Sequence, residues 1–166
     1  MLEIAYLADI PEAIPTLVDW FRLQWSEYYA RRTLAEIAQD FTAEANRSAL
    51  PVRLVAFADV ALAGTITLRE HAHHSLPEYR PGLGGLFVAE QYRRQGIGAA
   101  LISAGMDLAR QQGFAKVYAT TLTAGGILER LGWQPLWTVS HGNEQTVLYR
   151  CDLNKSAQPE KKSPGS

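Results

Sequence analysis

The sequence predicts a mixed α/β domain, and three observations carry that prediction. Short apolar runs rich in β-formers recur at residues 2–7, 52–58, 64–68, 83–88 and 115–120. Between them lie stretches with apolar residues at helical spacing, of which Ile14, Leu17, Val18, Phe21 and Trp25 form the clearest stripe. Helix start and stop signals fall where one pattern gives way to the other. The resulting order is β-α-α-β-β-β-α-β-α-β-β, a mixed layout with no internal repeat.

Each element has its own reason. After the first strand, Asp9-Ile10-Pro11-Glu12 reads as a helix start: an Asp cap, an early proline, and a glutamate three residues after the cap. Thr33-Leu34-Ala35-Glu36 is a second capping box, opening a helix with Leu34, Ile37, Ala38 and Phe41 on one face. Residues 59–63 read as the connection of a hairpin between strands 52–58 and 64–68. Residues 70–81 hold three histidines and two prolines and read as a loop. The strand 83–88 leads into a glycine turn and a helix lined by Ile97, Leu101, Gly105 and Leu108, which Gly113 stops. A strand over 115–120 and a short helix with Ile127, Leu128 and Leu131 follow, the helix ending at Gly132. Residues 133–139 and 146–153 then form a last strand pair joined by His141-Gly142-Asn143-Glu144.

The bulk numbers bound the function. A chain of 166 residues is read as a single domain over 1–153 that can bury a real core, with a disordered polar tail over 154–166. The net charge of −1 argues against nucleic acid as a partner, leaving a local basic patch at Arg93 and Arg94. The one cysteine, Cys151, cannot form an internal disulfide and fits a reducing compartment. The first residues lack the basic start and apolar core of a secretory signal, and no run is long enough to span a bilayer. The expected location is the cytoplasm, away from any membrane.

Residues 86–101 are the most informative stretch: a strand, a basic turn with two glycines, and a helix start. Gly96 and Gly98 take Cβ atoms away from the first helical turn, so an anion can approach the amides of about residues 95–99. Arg93 and Arg94 add positive charge beside them. The plainer alternative is that both glycines only let helix and strand pack closely. Among phosphate-binding turns, a Walker A loop needs Gly-Lys-Ser/Thr, whereas Gly98 precedes Ala99 and Ala100. A Rossmann turn needs a third glycine where Leu101 stands, and an acidic residue near 117–121, where there is none.

Arg93-x-x-Gly96-x-Gly98 after Leu86-Phe87-Val88 resembles the acetyl-CoA motif of the GNAT superfamily of N-acetyltransferases. The longer pattern from Phe87 to Leu101 and the later Glu129-Arg130-Leu131-Gly132-Trp133 are similar to that family too, and the resemblance covers about residues 2–152. It implies a mostly antiparallel central sheet flanked by helices, with a splayed strand pair at the acetyl-CoA site. It also implies transfer of an acetyl group from acetyl-CoA to a primary amine by direct attack in a ternary complex. By the same resemblance, Arg93, Arg94, Gln95, Gly96, Ile97, Gly98 and Ala99 hold the pyrophosphate. Phe87 and Val88 supply backbone groups to the pantetheine arm, and the Val88 N–H is the donor to the thioester oxygen. The acceptor would be a small-molecule or peptide amine, and the chain a monomer or a homodimer paired through its last strands.

An ammonium with a pKa of about 10.4 must lose a proton before it attacks, so a general base is useful. Glu90 is the first candidate, because it follows the cofactor strand directly, and Glu70 at the end of the preceding strand is the second. Both also read as plain solvated carboxylates. The family's usual tyrosine acid falls on Leu128, and its frequent asparagine on Thr121. Tyr118 or Thr123 would have to replace the acid. A thiolate leaves readily, its thiol having a pKa of about 8.5, so transfer can proceed without one. The loss of the tyrosine also opens an alternative: a non-catalytic acyl-CoA binding or sensing module. His71, His73 and His74 have no partner ligands at a metal spacing and are read as loop residues, one of them a possible base. Trp20, Trp25, Trp133 and Trp137 are read as core or rim, and Cys151 as a buried thiol.

Overall fold

A computed structural model describes residues 1–141 and 143–156. Seven strands form one sheet in the order β1-β2-β3-β4-β5-β7-β6. They are β1 (Leu2–Tyr6), β2 (Val52–Ala58), β3 (Ala61–Arg69), β4 (Gly82–Val88), β5 (Lys116–Thr121), β6 (Gln134–His141) and β7 (Glu144–Asp152). The helices are α1 (Ile14–Gln24), α2 (Leu34–Ala43), α3 (Ile97–Gln111), α4 (Gly125–Arg130) and the single turn α5 (Leu153–Ser156). The sheet is mostly antiparallel. β1 runs against β2, and β7 runs against both β5 and β6. β4 and β5 are parallel, with Gly82 opposite Tyr118.

The chain divides into two compact units, each assembled from separate stretches of sequence. The first comprises Met1–Thr67 and Gly85–Leu101. Its core is Leu7, Leu17, Val18, Phe21, Ile37, Phe41 and Val55, so the stripe read from α1 does face inward. The stripe is narrower than the sequence predicts. Trp25 falls at the helix end with 37% of its surface exposed, and Leu34 on α2 is 56% exposed. The Thr33–Glu36 capping box forms in full, each side chain bonding the other residue's backbone.

The start of α1 departs from expectation. Asp9 lies in a 3₁₀ turn (Leu7–Asp9), a second 3₁₀ turn (Pro11–Ala13) follows, and α1 begins at Ile14. Instead of capping a helix, Asp9 accepts from Arg47, whose Nε donates at 3.1 Å and whose Nη2 bonds the second carboxylate oxygen. A guanidinium takes both oxygens at once, which a pair of helix amides at a cap does not. The hairpin is also tighter than predicted. Asp59 takes the left-handed conformation at φ 58°, and β3 starts at Ala61 rather than Gly64.

The second unit comprises Leu68–Gly84 and the chain from Ile102 on. Leu108, Val117, Leu128, Trp133, Leu148 and Cys151 are buried in it. Gly105 sits where a Cβ would fall 2.5 Å from Leu83 Cδ1, so α3 accommodates that leucine only because residue 105 is glycine. Leu153, the last residue of the predicted domain, is tied down: its N–H bonds Ala115 O at 2.8 Å, and the Arg110 Nε donates to its carbonyl at 3.2 Å. The first residues of the predicted polar tail, 154–156, complete the single turn α5, while 157–166 and Gly142 of the last turn lie outside the described residues.

Candidate functional site

β4 carries the candidate site to its place, and it is not a straight strand. Gly85 stands at φ 59°, a left-handed residue inside the strand that kinks its course. The carbonyl of Gly85 accepts from Arg53 Nη1 at 3.3 Å. Arg53 is 98% buried, and its guanidinium is both hydrogen-bonded and packed against rings. Its Nε bonds Glu44, its Nη1 bonds Thr65 Oγ1 at 3.0 Å, and its carbon lies 5.2 and 5.0 Å from the ring centres of Phe21 and Phe41. Thr65 Oγ1 in turn donates to Leu54 O at 2.7 Å. A buried charge is tolerable only when paired and hydrogen-bonded, and here it is both.

Beyond the kink the strand end has a defined polarity. The Ala89 N–H donates to Ala63 O on β3 at 2.8 Å. Backbone groups alternate sides along a strand, so the Val88 N–H and C=O point away from β3. The Val88 carbonyl accepts from Arg93 Nε at 2.8 Å. Phe87 faces the other way: its carbonyl lies beside Gly64, where a Cβ would come within 2.8 Å of it. Of the two residues read as backbone partners, alternation leaves Val88 at the edge turned from β3. Phe87 contributes its ring, stacked on Trp20 at 5.0 Å and lying under the Arg93 guanidinium at 5.6 Å.

The turn follows at once. Residues 90–92 form a 3₁₀ turn, Arg94 stands at φ 66° and Gly96 at φ 84°. Left-handed residues so close together turn successive amides toward a common side, as in anion-binding nests. The first backbone bond of α3 runs from the Ala100 N–H to Gly96 O at 3.0 Å. The amides of Ile97, Gly98 and Ala99 therefore have no partner within the helix. A Cβ on Gly96 would meet nothing within 4 Å, so the packing explanation fails at this residue. Close approach of helix and strand is served instead by Gly105, against Leu83, and by Gly64, whose Cβ would fall 3.0 Å from Leu101 Cδ1 and 3.5 Å from Ile97 Cγ2. Arg94 and Gln95 are exposed on the turn, and the Gln95 Nε2 reaches back to Gln91 O at 3.3 Å.

The two carboxylates differ in their engagements. Glu90 is exposed, and its carboxylate makes no ion pair or hydrogen bond among the described residues. Glu70, in the second unit, accepts from Arg80 Nη2 at 2.8 Å, which occupies Oε1. Leu128 is buried in α4. Thr121 serves the backbone, its Oγ1 accepting the N–H groups of Thr123 at 3.2 Å and Ala124 at 2.9 Å. Tyr118 packs edge-on against Tyr79 at 5.4 Å. Tyr149, unremarked in the sequence, donates to Glu129 Oε2 at 3.0 Å, and burial followed by that bond pushes its hydroxyl pKa up. In the loop, His73 Nδ1 lies 2.9 Å from Ser75 Oγ and accepts the Ser75 N–H at 3.2 Å, while its ring stands 4.1 Å from that of His74. No group of three metal-donor side chains occurs among the described residues. Burial raises the Cys151 thiol pKa as well. No helix among the described residues is long and apolar enough to cross a membrane.

Solved structures with this fold come from several bacteria. An acetyltransferase of the GNAT family from Streptococcus pneumoniae superposes with a TM-score of 0.68 at 15% identity, over 90% of this chain and 98% of that one. The aminoglycoside 6'-N-acetyltransferase from Enterococcus faecium gives 0.70 at 16% identity, over 91% and 97%. An aminoglycoside 6'-N-acetyltransferase complexed with coenzyme A gives 0.72 at 16% identity, over 91% and 97%. At these identities the likeness is one of fold. No curated protein matches the chain in sequence. The acetyltransferase (GNAT) family matches residues 14–133, which take in α1 through Trp133 and so the kinked strand, the turn and the helix together, and the chain belongs to the GNAT family of acetyltransferases.

Proposed function

We propose that this chain is an N-acetyltransferase that moves the acetyl group of acetyl-CoA directly to a primary amine. The observation that supports this most is the pairing, within the first unit, of an outward-pointing Val88 N–H with the amides of Ile97, Gly98 and Ala99, which have no partner within the helix. One group suits a thioester oxygen and the others suit a pyrophosphate. The residues fit the cofactor: Gly96 leaves open space at the turn, and Arg93, Arg94 and Gln95 stand exposed in the same turn.

The amine nitrogen attacks the thioester carbon, a C–N bond forms and the C–S bond breaks. The Val88 N–H donates to the carbonyl oxygen as negative charge builds there. Glu90 takes the proton the amine gives up, directly or through a water. The sulfur leaves as thiolate and picks up a proton from solvent, so the products are an amide and the free thiol. Glu70 is the second candidate base, with one oxygen already given to Arg80. Titration calorimetry with acetyl-CoA tests the first half, and no heat at millimolar cofactor overturns it. Glu90→Gln tests the second: thiol release should fall about 100-fold while acetyl-CoA affinity holds.

Leu128 favours a second reading, a non-catalytic acyl-CoA sensor, since a buried leucine offers the sulfur no proton. That reading predicts cofactor binding with no thiol release across a broad amine panel. Turnover that depends on Glu90 removes it.

A further inference from the structure

Arg53 is a buried cation that the transfer chemistry leaves unused. It comes from β2, and its bonds reach three other elements. Glu44, which caps α2, holds it twice: its carboxylate accepts from Nε, and its carbonyl accepts the Arg53 N–H at 3.1 Å. Nη1 donates to Thr65 Oγ1 on β3 and to the Gly85 carbonyl at the kink of β4. All four residues lie in the first unit.

Stability alone does not account for this arrangement. Packed apolar residues often replace a buried ion pair at no loss, and Arg53 already lies beside the rings of Phe21 and Phe41 in such a core. What a guanidinium with several set acceptors does fix is a place and an orientation, because its donors form a rigid planar fork. Here the fork holds the Gly85 carbonyl to α2, β2 and β3 at once. Gly85 stands at φ 59°, and a left-handed residue inside a strand redirects the chain beyond it. Val88 follows three residues on, about 10 Å along an extended chain. Just past it, the Ala89 N–H is tied to Ala63 O at 2.8 Å. Val88 thus stands between two fixed points, one of which is held by a buried side chain. A donor to a developing oxyanion has to be held within about 0.5 Å of its working place.

We infer that Arg53 is a positioning residue for the transfer: by holding the Gly85 carbonyl it aims the Val88 N–H at the thioester oxygen. This rests on the transferase reading above. The test needs no acceptor. Infrared difference spectra of acetyl-CoA isotopically labelled at its thioester carbonyl read the hydrogen bond to that oxygen, which weakens the C=O bond and lowers its stretching frequency. Calorimetry on the same samples gives the affinity. Binding to the wild type should move the band down. Arg53→Lys should lose about half of that movement or more, with acetyl-CoA affinity within about twofold of wild type, because a point charge cannot hold the same acceptors. Where Arg53→Lys does not fold, Thr65→Val takes its place, since it withdraws the Oγ1 that fixes Nη1, and it should lose a measurable part of the movement. Leu17→Ala opens a cavity in the same core but leaves all of these bonds, and it should keep the movement whole. No binding by the wild type overturns the transferase reading. Binding with no band movement in the wild type overturns the Val88 donor. A full movement in the Arg53→Lys or substitute variant, or an equal loss in Leu17→Ala, overturns the positioning role of Arg53.

Discussion

At Gly96 the backbone stands at φ 84° with open space where a Cβ would be. Any other residue there pays about 1–2 kcal/mol for the left-handed conformation. Gly96→Val should therefore cost the free protein about that much in chemical denaturation, yet, if the proposed cradle is used, abolish acetyl-CoA binding in calorimetry. An equal loss of stability with binding intact would show that the turn is only structural. Arg94 already bears a left-handed cost at φ 66°, strain of the kind that collects at binding sites. Cys151 gives a different residue-scale prediction. Its thiol pKa is raised from 9.0, first by burial, so the fold holds the neutral form. Stability should be level below pH 9.0 and fall above it, because the unfolded thiol ionises there first. The fall should shrink in Cys151→Ala, followed by urea denaturation from pH 7 to 10.

Among the elements, β4 shows how far sequence can be read. The turn after it was legible, since a basic segment with two glycines between a strand and a helix has few physical uses. The kink within it was not. Gly84 and Gly85 look like any weak point in a strand, and nothing local says that Gly85 is the left-handed one. Arg53 was illegible for a related reason: amid Val52, Leu54 and Val55, a single arginine reads as the outward face of an alternating strand. Its burial depends on Glu44 and Thr65, which reach it only in the fold. Asp9 fails in the opposite direction, a good local cap signal outbid by Arg47, 38 residues away in sequence. The network around Arg53 yields its own prediction. Arg53→Met leaves Glu44 without its cation and the Gly85 carbonyl without its donor, and should cost about 3 kcal/mol in denaturation. Arg53→Lys should recover little, because a point charge cannot serve Glu44, Thr65 and Gly85 together. If the kink aims Val88, surviving Arg53→Lys protein should lose kcat more than acetyl-CoA affinity.

For the molecule as a whole, connectivity matters more than composition. The chain passes between its two units at residues 67–68, 84–85 and 101–102, each time inside β3, β4 or α3. A strand or helix does not part in its middle without losing its hydrogen bonds, so one cooperative unfolding transition is expected. Every residue assigned to the cofactor cradle belongs to the first unit. A ligand bound there stabilises the native chain by mass action, about 2.7 kcal/mol at a hundred times its dissociation constant. For a chain of this length that is a rise in Tm of about 5–10 °C. Net charge is only −1, so attraction of the anionic donor falls to local groups rather than to the molecule's overall field. Arg94→Ala should then reduce the acetyl-CoA shift by more than half, while substituting the exposed Lys116, on β5 of the second unit, leaves it unchanged. Raising salt from 0.05 to 0.5 M should shrink the wild-type shift more than that of Arg94→Ala, which has lost one of the two arginines beside the turn. Two separate transitions, with acetyl-CoA moving only one of them, would break the argument from connectivity and leave the cradle assigned to a unit that folds alone.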